Sequence, residues 1–324
     1  MDFTFRKERT GTLKTNRGRQ LPTPTPTSSA RALNEASHLV FIGFMTSSEL
    51  PLRERIVLYG DSLTQRSFEP GGWGAALADE YSRTADVFNR GYGGYNSRWC
   101  AREEMLRAAF GEGREPIRRA LMSCVMLGTN DATRLVDEVA ERSNRVSVSV
   151  SEYGNYMRRI VSRAAMTSKF VFVMSPPVVD EDARRRCQIE RYGESWVGGP
   201  WEDRRPEIEA FGAMAKTVAN EVNASSCGAK VFFVDVHAET KKLAQTQMIL
   251  CDGVHFTSLG QEVVHRVLRA AMKEAGVPSG ADLLPDFPYG HELRNPEDSN
   301  VDFPNGDAVF ERHVMKRKEN AREM

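Results

Sequence analysis

A serine preceded by glycine and aspartate, Gly60-Asp61-Ser62-Leu63, stands directly behind the apolar run Arg55-Ile56-Val57-Leu58-Tyr59. At the end of a strand, such a serine holds its hydroxyl exposed and aims its backbone N–H at a bound carbonyl. The hydroxyl becomes a nucleophile only beside a base that a third group orients. Asp252-Gly253-Val254-His255, far downstream, contains both parts. A carboxylate three residues before a histidine, joined by a glycine turn, reaches Nδ1 and leaves Nε2 as the base. Two further segments suit the oxygen of an attacked carbonyl. Asn89-Arg90-Gly91-Tyr92-Gly93-Gly94-Tyr95-Asn96 presents bare backbone N–H groups, and Leu127-Gly128-Thr129-Asn130-Asp131 presents a side-chain amide. A donor of that kind at a developing oxyanion is worth about two to three orders of magnitude in rate. Each segment also has an ordinary reading: serine favours turns, glycine supplies positive φ, asparagine caps helices, and a lone histidine is more often structural. Four of them in this order, each after a strand, point to nucleophilic acyl transfer.

The elements that must position these residues alternate from about residue 54 onward. Short apolar strands are expected at Ile56–Tyr59, Asp86–Asn89, Cys124–Leu127, Phe170–Met174 and Val231–Val234. Amphipathic helices are expected over Gly74–Thr84, Arg98–Phe110, Tyr153–Ala165, Ile208–Asn223 and Leu259–Ala275. Pro176-Pro177 stops the fourth strand, because proline donates no ladder bond. The alternation of Val146, Val148 and Val150 with serines reads as a loop leading into the Tyr153 helix. Continuous apolar strands separated by helices argue for a parallel sheet buried on both faces, a three-layer α/β/α architecture with about five strands. Reactive groups in such sheets gather outside the carboxyl ends of the strands. Ser62, Gly94 and Asn130 follow strands, and Asp252 and His255 lie between the last strand and the last helix, so all converge on one rim.

With these blocks in place the chain resembles the SGNH (GDSL-type) hydrolases, and within them most closely the isoamyl acetate-hydrolysing esterase group. The likeness runs from about Arg55 to Ala275. It rests on Gly-Asp-Ser-Leu and on longer, more specific strings: Gly71-Gly72-Trp73-Gly74, Asn89 through Trp99, Ser175-Pro176-Pro177 and Asp252-Gly253-Val254-His255-Phe256-Thr257. The resemblance implies a flavodoxin-like fold and a serine esterase acting on small- to medium-chain esters through an acyl-enzyme. It implies Ser62 as nucleophile, His255 as base and Asp252 as its orienter. The oxyanion hole would comprise the Ser62 N–H, the Gly94 N–H and the Asn130 amide. Gly94 is preferred to Gly93 because the family's glycine directly precedes Tyr-Asn; glycine at 93 stands where a larger residue is common. The same site would serve a carbohydrate O-deacetylase, a lysophospholipase, a thioesterase or an acyltransferase. A non-catalytic interaction protein could keep this fold, but the full set of reactive residues counts against it.

Bulk properties narrow the field further. The 324 residues carry 44 basic and 44 acidic side chains, so no global field recruits nucleic acid or anionic membrane. Five widely spaced cysteines without a C-x-x-C pair suggest neither a disulfide framework nor a structural zinc. The expected chemistry needs no cofactor and no metal, and the expected partner is a small-molecule ester. Reduced thiols suit an intracellular, cytoplasmic protein. Residues 1–38 hold seven Arg/Lys against three Asp/Glu and a Pro-Thr repeat, which reads as a disordered extension or an organelle-targeting segment. Leu39 to Met45 is too short to span a bilayer. The expected organisation is an extension at 1–54, the hydrolase domain at 55–277 and a C-terminal extension at 278–324, of which 285–324 reads as peripheral or disordered. Arg184-Arg185-Arg186, after Asp180-Glu181-Asp182, could bind an anionic substrate near the fourth-strand loop, but a solvated helix face is the preferred reading. Trp73 and Trp99 read as core, Trp196 and Trp201 as a substrate-shaping insert, His265 as an ordinary helix residue, and Asp61 as a residue that shapes the serine turn.

Overall fold

A computed structural model describes residues 53–111, 119–135, 137, 146–199, 202–226, 228–244, 248–290, 292 and 306–323. The readings made for residues 1–52 and for Trp201 fall outside these. Strands β1 (Glu54–Gly60), β2 (Ala85–Gly91), β3 (Ala120–Met126), β5 (Ser168–Met174) and β7 (Lys230–Val234) form one sheet in the order β2-β1-β3-β5-β7, and every pairing is parallel. Two two-residue strands, β4 (Arg134–Leu135) and β6 (Asp203–Arg204), pair antiparallel outside it, a ribbon without any apolar pattern to announce it.

Side chains alternate across each strand, so neighbours go to opposite layers. Val57, Tyr59, Val125, Val171 and Val173 pack on one face with α4 (Glu103–Phe110), α5 (Val150–Thr167) and α7 (Ile208–Ser225). Ile56, Leu58, Met126, Phe172 and Met174 pack on the other with α2 (Trp73–Glu80), α8 (Val236–Ala244) and α9 (Ser258–Ala275). The central strand β3 is buried at all seven positions, which is why it reads as continuously apolar. The chain leaves β1 for one sheet edge, then returns to lay β3 on the other side of β1. A parallel sheet opens a crevice at such a reversal, outside its carboxyl ends.

Several boundaries differ from expectation for local reasons. The first helix ends at Glu80, because Arg83 takes a left-handed φ of 69° and turns the chain into β2. The expected Arg98–Phe110 helix is two helices, α3 (Ser97–Cys100) and α4, broken at Arg102, which is extended with φ −65° and ψ 144°. A helix α6 (Glu181–Tyr192), capped by the Asp180 side chain, occupies the stretch after β5. Trp73 is buried, whereas Trp99 is half-buried and meets Tyr95 edge-on. Far from being only peripheral, the segment after α9 engages the domain: Tyr81 Oη donates to Pro278 O at 2.7 Å, and Asp286 pairs with Arg53 and Arg83. A helix α10 spans Gly306–Glu323. No helix among the described residues is long and apolar enough to cross a membrane.

Candidate active site

Strand β1 ends at Gly60, where a Cβ would lie 2.4 Å from Met126 O; only glycine lets the chain turn so close to β3. The next residue, Asp61, caps the short helix α1 (Ser62–Gln65), its Oδ1 accepting from Leu63 N at 2.9 Å. Ser62 therefore occupies the first helical position, where backbone N–H groups have no acceptor inside the helix. Asp61 is 1% exposed, and burial pushes its carboxyl up to about 7. It faces inward, away from the role of orienter.

The base arrives on a turn between β7 and α9. Asp252 Oδ1 accepts from the backbone N–H groups of Val254 and His255 at 3.0 and 2.8 Å, and Gly253 adopts φ 84°. This folds the carboxylate over the imidazole of the same turn. His255 Nδ1 lies 2.7 Å from Asp252 Oδ2, and Nε2 lies 2.9 Å from Ser62 Oγ. With Nδ1–H donating to the carboxylate, Nε2 is left to accept the serine proton. Burial alone would raise the Asp252 carboxyl, but the hydrogen bonds from His255 Nδ1 and from the two backbone N–H groups outweigh it and hold it far below the ordinary range. It is a carboxylate at any working pH.

The loop after β2 presents Gly94 with φ 78° and open space on its Cβ side. Its neighbour Gly93 spends its N–H on Gln65 Oε1 at 2.6 Å, while the Gly94 N–H has no acceptor among the described residues. Asn130, after β3, donates from Nδ2 to Tyr95 O at 2.8 Å, which ties the two loops together and leaves the second amide hydrogen. Ser62, Gly94, Asn130 and His255 line one pocket of about 430 Å³. The arrangement pairs a hydroxyl with a base and surrounds it with N–H donors, the equipment of acyl transfer.

The same pocket is lined by Arg184, Asp203 and Arg205. Arg184 is no solvated helix residue: its Nε and Nη2 fork onto Asp203, each at 3.0 Å. Nothing in the run of three arginines distinguishes it from Arg185 and Arg186; only the start of α6 beside the Asp252 turn does. The insert before α7 contributes charged residues to the pocket rather than the expected aromatic one, since Trp196 stacks on Tyr192 with ring centroids 4.3 Å apart.

The structure thus sets a serine, a histidine and N–H donors in one pocket of a parallel doubly wound sheet. The chain matches the model of the GDSL-like lipase/acylhydrolase family over residues 56–268, and it belongs to that family. It is a carboxylic ester hydrolase. It is 32% identical to a GDSL esterase/lipase of Arabidopsis thaliana over 269 residues, covering 82% of this chain and 100% of that one. It is 36% identical to the GDSL esterase/lipase WDL1 of Oryza sativa over 240 residues, 72% of this chain and 82% of the other. It is also 30% identical to the isoamyl acetate-hydrolyzing esterase 1 homolog of Rattus norvegicus, over 72% of this chain and 86% of the other. Among solved structures it is similar to LAE5, an α/β hydrolase enzyme from the metagenome of Lake Arreo, at 19% identity and a TM-score of 0.49, over 69% of this chain and 98% of that one.

Proposed function

We propose that the enzyme hydrolyses short- to medium-chain carboxylic esters with Ser62 as nucleophile, His255 as general base and Asp252 as the group that orients it. The observation that carries this reading is the unbroken relay of 2.9 Å and 2.7 Å contacts from Ser62 Oγ through the imidazole to Asp252. Ser62 Oγ attacks the ester carbonyl as Nε2 takes its proton. The imidazolium returns that proton to the departing alcohol, and water activated by the same nitrogen then releases the acid. The Ser62 and Gly94 N–H groups and the Asn130 amide receive the oxyanion. Gly94 has its N–H unspent, which supports its assignment over Gly93. The pocket volume of about 430 Å³ suits a small ester better than a long acyl chain. The proposed catalytic unit is 55–277, a reading that the family match at 56–268 supports.

A fluorophosphonate probe tests the assignment directly. It is expected to label Ser62 in the folded enzyme, and Ser62→Ala is expected to lower kcat on 4-nitrophenyl butyrate by roughly 10⁴-fold or more with an unchanged circular dichroism spectrum. Labelling at another residue, or turnover retained in the variant, would remove Ser62 from the mechanism.

A further inference from the structure

The charged residues of the pocket carry more than a structural role. The Asp203 carboxylate already receives three donors: Arg184 takes both oxygens, and Gln188 Nε2 donates to Oδ1 at 2.9 Å. Arg205 is not matched in the same way. It is 5% exposed, and its Nε donates to Thr129 O at 2.9 Å. Its Nη1 is buried and has no hydrogen-bond partner among the described residues. The one ion-pair contact of that nitrogen, Asp203 Oδ1, is 3.5 Å away and already receives two donors. Other acidic groups around it are committed elsewhere. Glu181 Oε1 accepts the backbone N–H of Arg205, Asp252 faces His255, and Asp61 lies beneath the serine turn bound to Leu63 N.

Two guanidinium groups therefore share one carboxylate on the wall of the pocket that holds Ser62. A buried cationic donor without an acceptor is costly, and one left unmatched in a pocket wall calls for a completing group such as a water, an ion or a ligand. A brace for the Thr129 loop would need only Nε. A planar guanidinium fork is the natural complement of a carboxylate, which supplies two acceptors and the missing charge.

We propose that Arg205, backed by Arg184, binds a carboxylate on the substrate, so that this site is specific for small carboxylated esters. The carboxylate can belong to either half of such an ester: the monoester of a short dicarboxylic acid, or the acyl ester of a short hydroxy acid. This inference rests on the serine-esterase reading and narrows its substrate class.

Two substrate pairs of matched size test it. Mono-4-nitrophenyl glutarate against 4-nitrophenyl valerate places the charge on the acyl side. 3-Acetoxybutanoate against 2-pentyl acetate places it on the alcohol side. The wild-type enzyme is expected to favour the carboxylated member of at least one pair by about tenfold or more in kcat/KM, the size of one charge-assisted hydrogen bond. That ratio is expected to collapse toward one in Arg184→Met and in Arg205→Met, with Arg205→Lys read in its place should the methionine variant not fold. Wild-type ratios at or below one for both pairs overturn the inference, as does a preference that survives in the variants. Titration calorimetry of Ser62→Ala protein with the same esters reads the preference without turnover. Cleavage of the neutral ester with no carboxylate preference sinks only this inference. Absence of cleavage of every ester sinks the esterase reading, and the calorimetric ratio still decides this one.

Discussion

Ser62 and His255 stand 193 positions apart in the chain and 2.9 Å apart in space, a contact only the folded sheet makes and the one on which the proposed mechanism turns. Asp252→Asn isolates the orienting step. An asparagine still accepts from the Val254 and His255 backbone N–H groups through Oδ1, but its amide now donates toward Nδ1. The imidazole then places its own proton on Nε2, where a base is needed, and kcat is expected to fall about 10⁴-fold while far-ultraviolet dichroism stays constant. Asp61 calls for the opposite measurement. Its folded carboxyl is raised to about 7, against about 4 in an unfolded chain. The native state therefore holds the extra proton between those values, and stability is full below about pH 4 and declines as pH rises toward 7. Asparagine keeps the cap on Leu63 N and cannot ionise. Melting curves of Asp61→Asn are thus expected to gain on wild type from pH 5 to pH 8; a gap that does not widen would assign the pH dependence to other groups. At this scale the chain was readable wherever a residue type carried its own chemistry. Ser62, Asp252, His255, Gly94 and Asn130 were all marked by their places after strands; Ser62, Gly94, Asn130 and His255 line one pocket, and Asp252 is joined to it through His255 Nδ1. Arg205 was not, because a buried and a solvated arginine look alike in sequence.

Elements explain what residue types could not. The turn that carries the base is held from behind by α6: Asp180 N donates to Gly253 O at 2.9 Å, and a Cβ on Gly253 would meet Asp180 O at 2.3 Å and Arg184 N at 2.4 Å. Both clashes are with backbone, so neither can be relieved by a rotamer change. The residue also sits at φ 84°, which costs an L side chain about 1–2 kcal/mol. Gly253→Ala is expected to move the turn off α6 and carry His255 with it. A displacement near 1 Å costs on the order of 10²-fold in rate, so kcat should drop by at least that much, with a lower Tm. Steady-state kinetics beside thermal melts check this, and full activity with an unaltered Tm would mean the turn stands without α6. The strands and the long helices were legible from apolar runs and helical periodicity. The break at Arg102 and the β4–β6 ribbon were not, since each depends on tertiary contacts and lacks a periodic signal of its own.

At the scale of the whole molecule, the parallel sheet brings Ser62, Gly94, Asn130 and His255 to one pocket, a convergence the sequence order of the strands anticipated. What the C-terminal part of the chain does was not apparent, because its Pro- and Asp-rich composition suggests a tail. Asp286 shows otherwise. Its carboxylate accepts from Arg53 Nε at 2.8 Å, just ahead of β1, and pairs with Arg83 at 3.3 Å, in the turn before β2, while its backbone N–H donates to Arg83 O at 2.7 Å. One side chain thus clamps the segment after α9 to the starts of two neighbouring strands, at the end of the sheet opposite the site. Burial by itself would raise the Asp286 carboxyl; the hydrogen bonds from Arg53, the Phe287 backbone N–H and Arg83, with the charge of Arg53, outweigh that and hold it below its ordinary value. A carboxyl lowered on folding contributes stability above its unfolded value of about 4 and loses it as pH falls through the folded one. Asp286→Asn keeps the shape and removes the charge. It is expected to cost about 1 kcal/mol, or a few degrees in Tm, at pH 7, with kcat unchanged because the clamp is remote from Ser62. The difference between wild type and variant should close as the pH approaches 3, where the wild-type carboxylate is itself being neutralised. A gap of equal size at pH 3 and pH 7 would show that packing of the segment, rather than its charge, holds it against the strands.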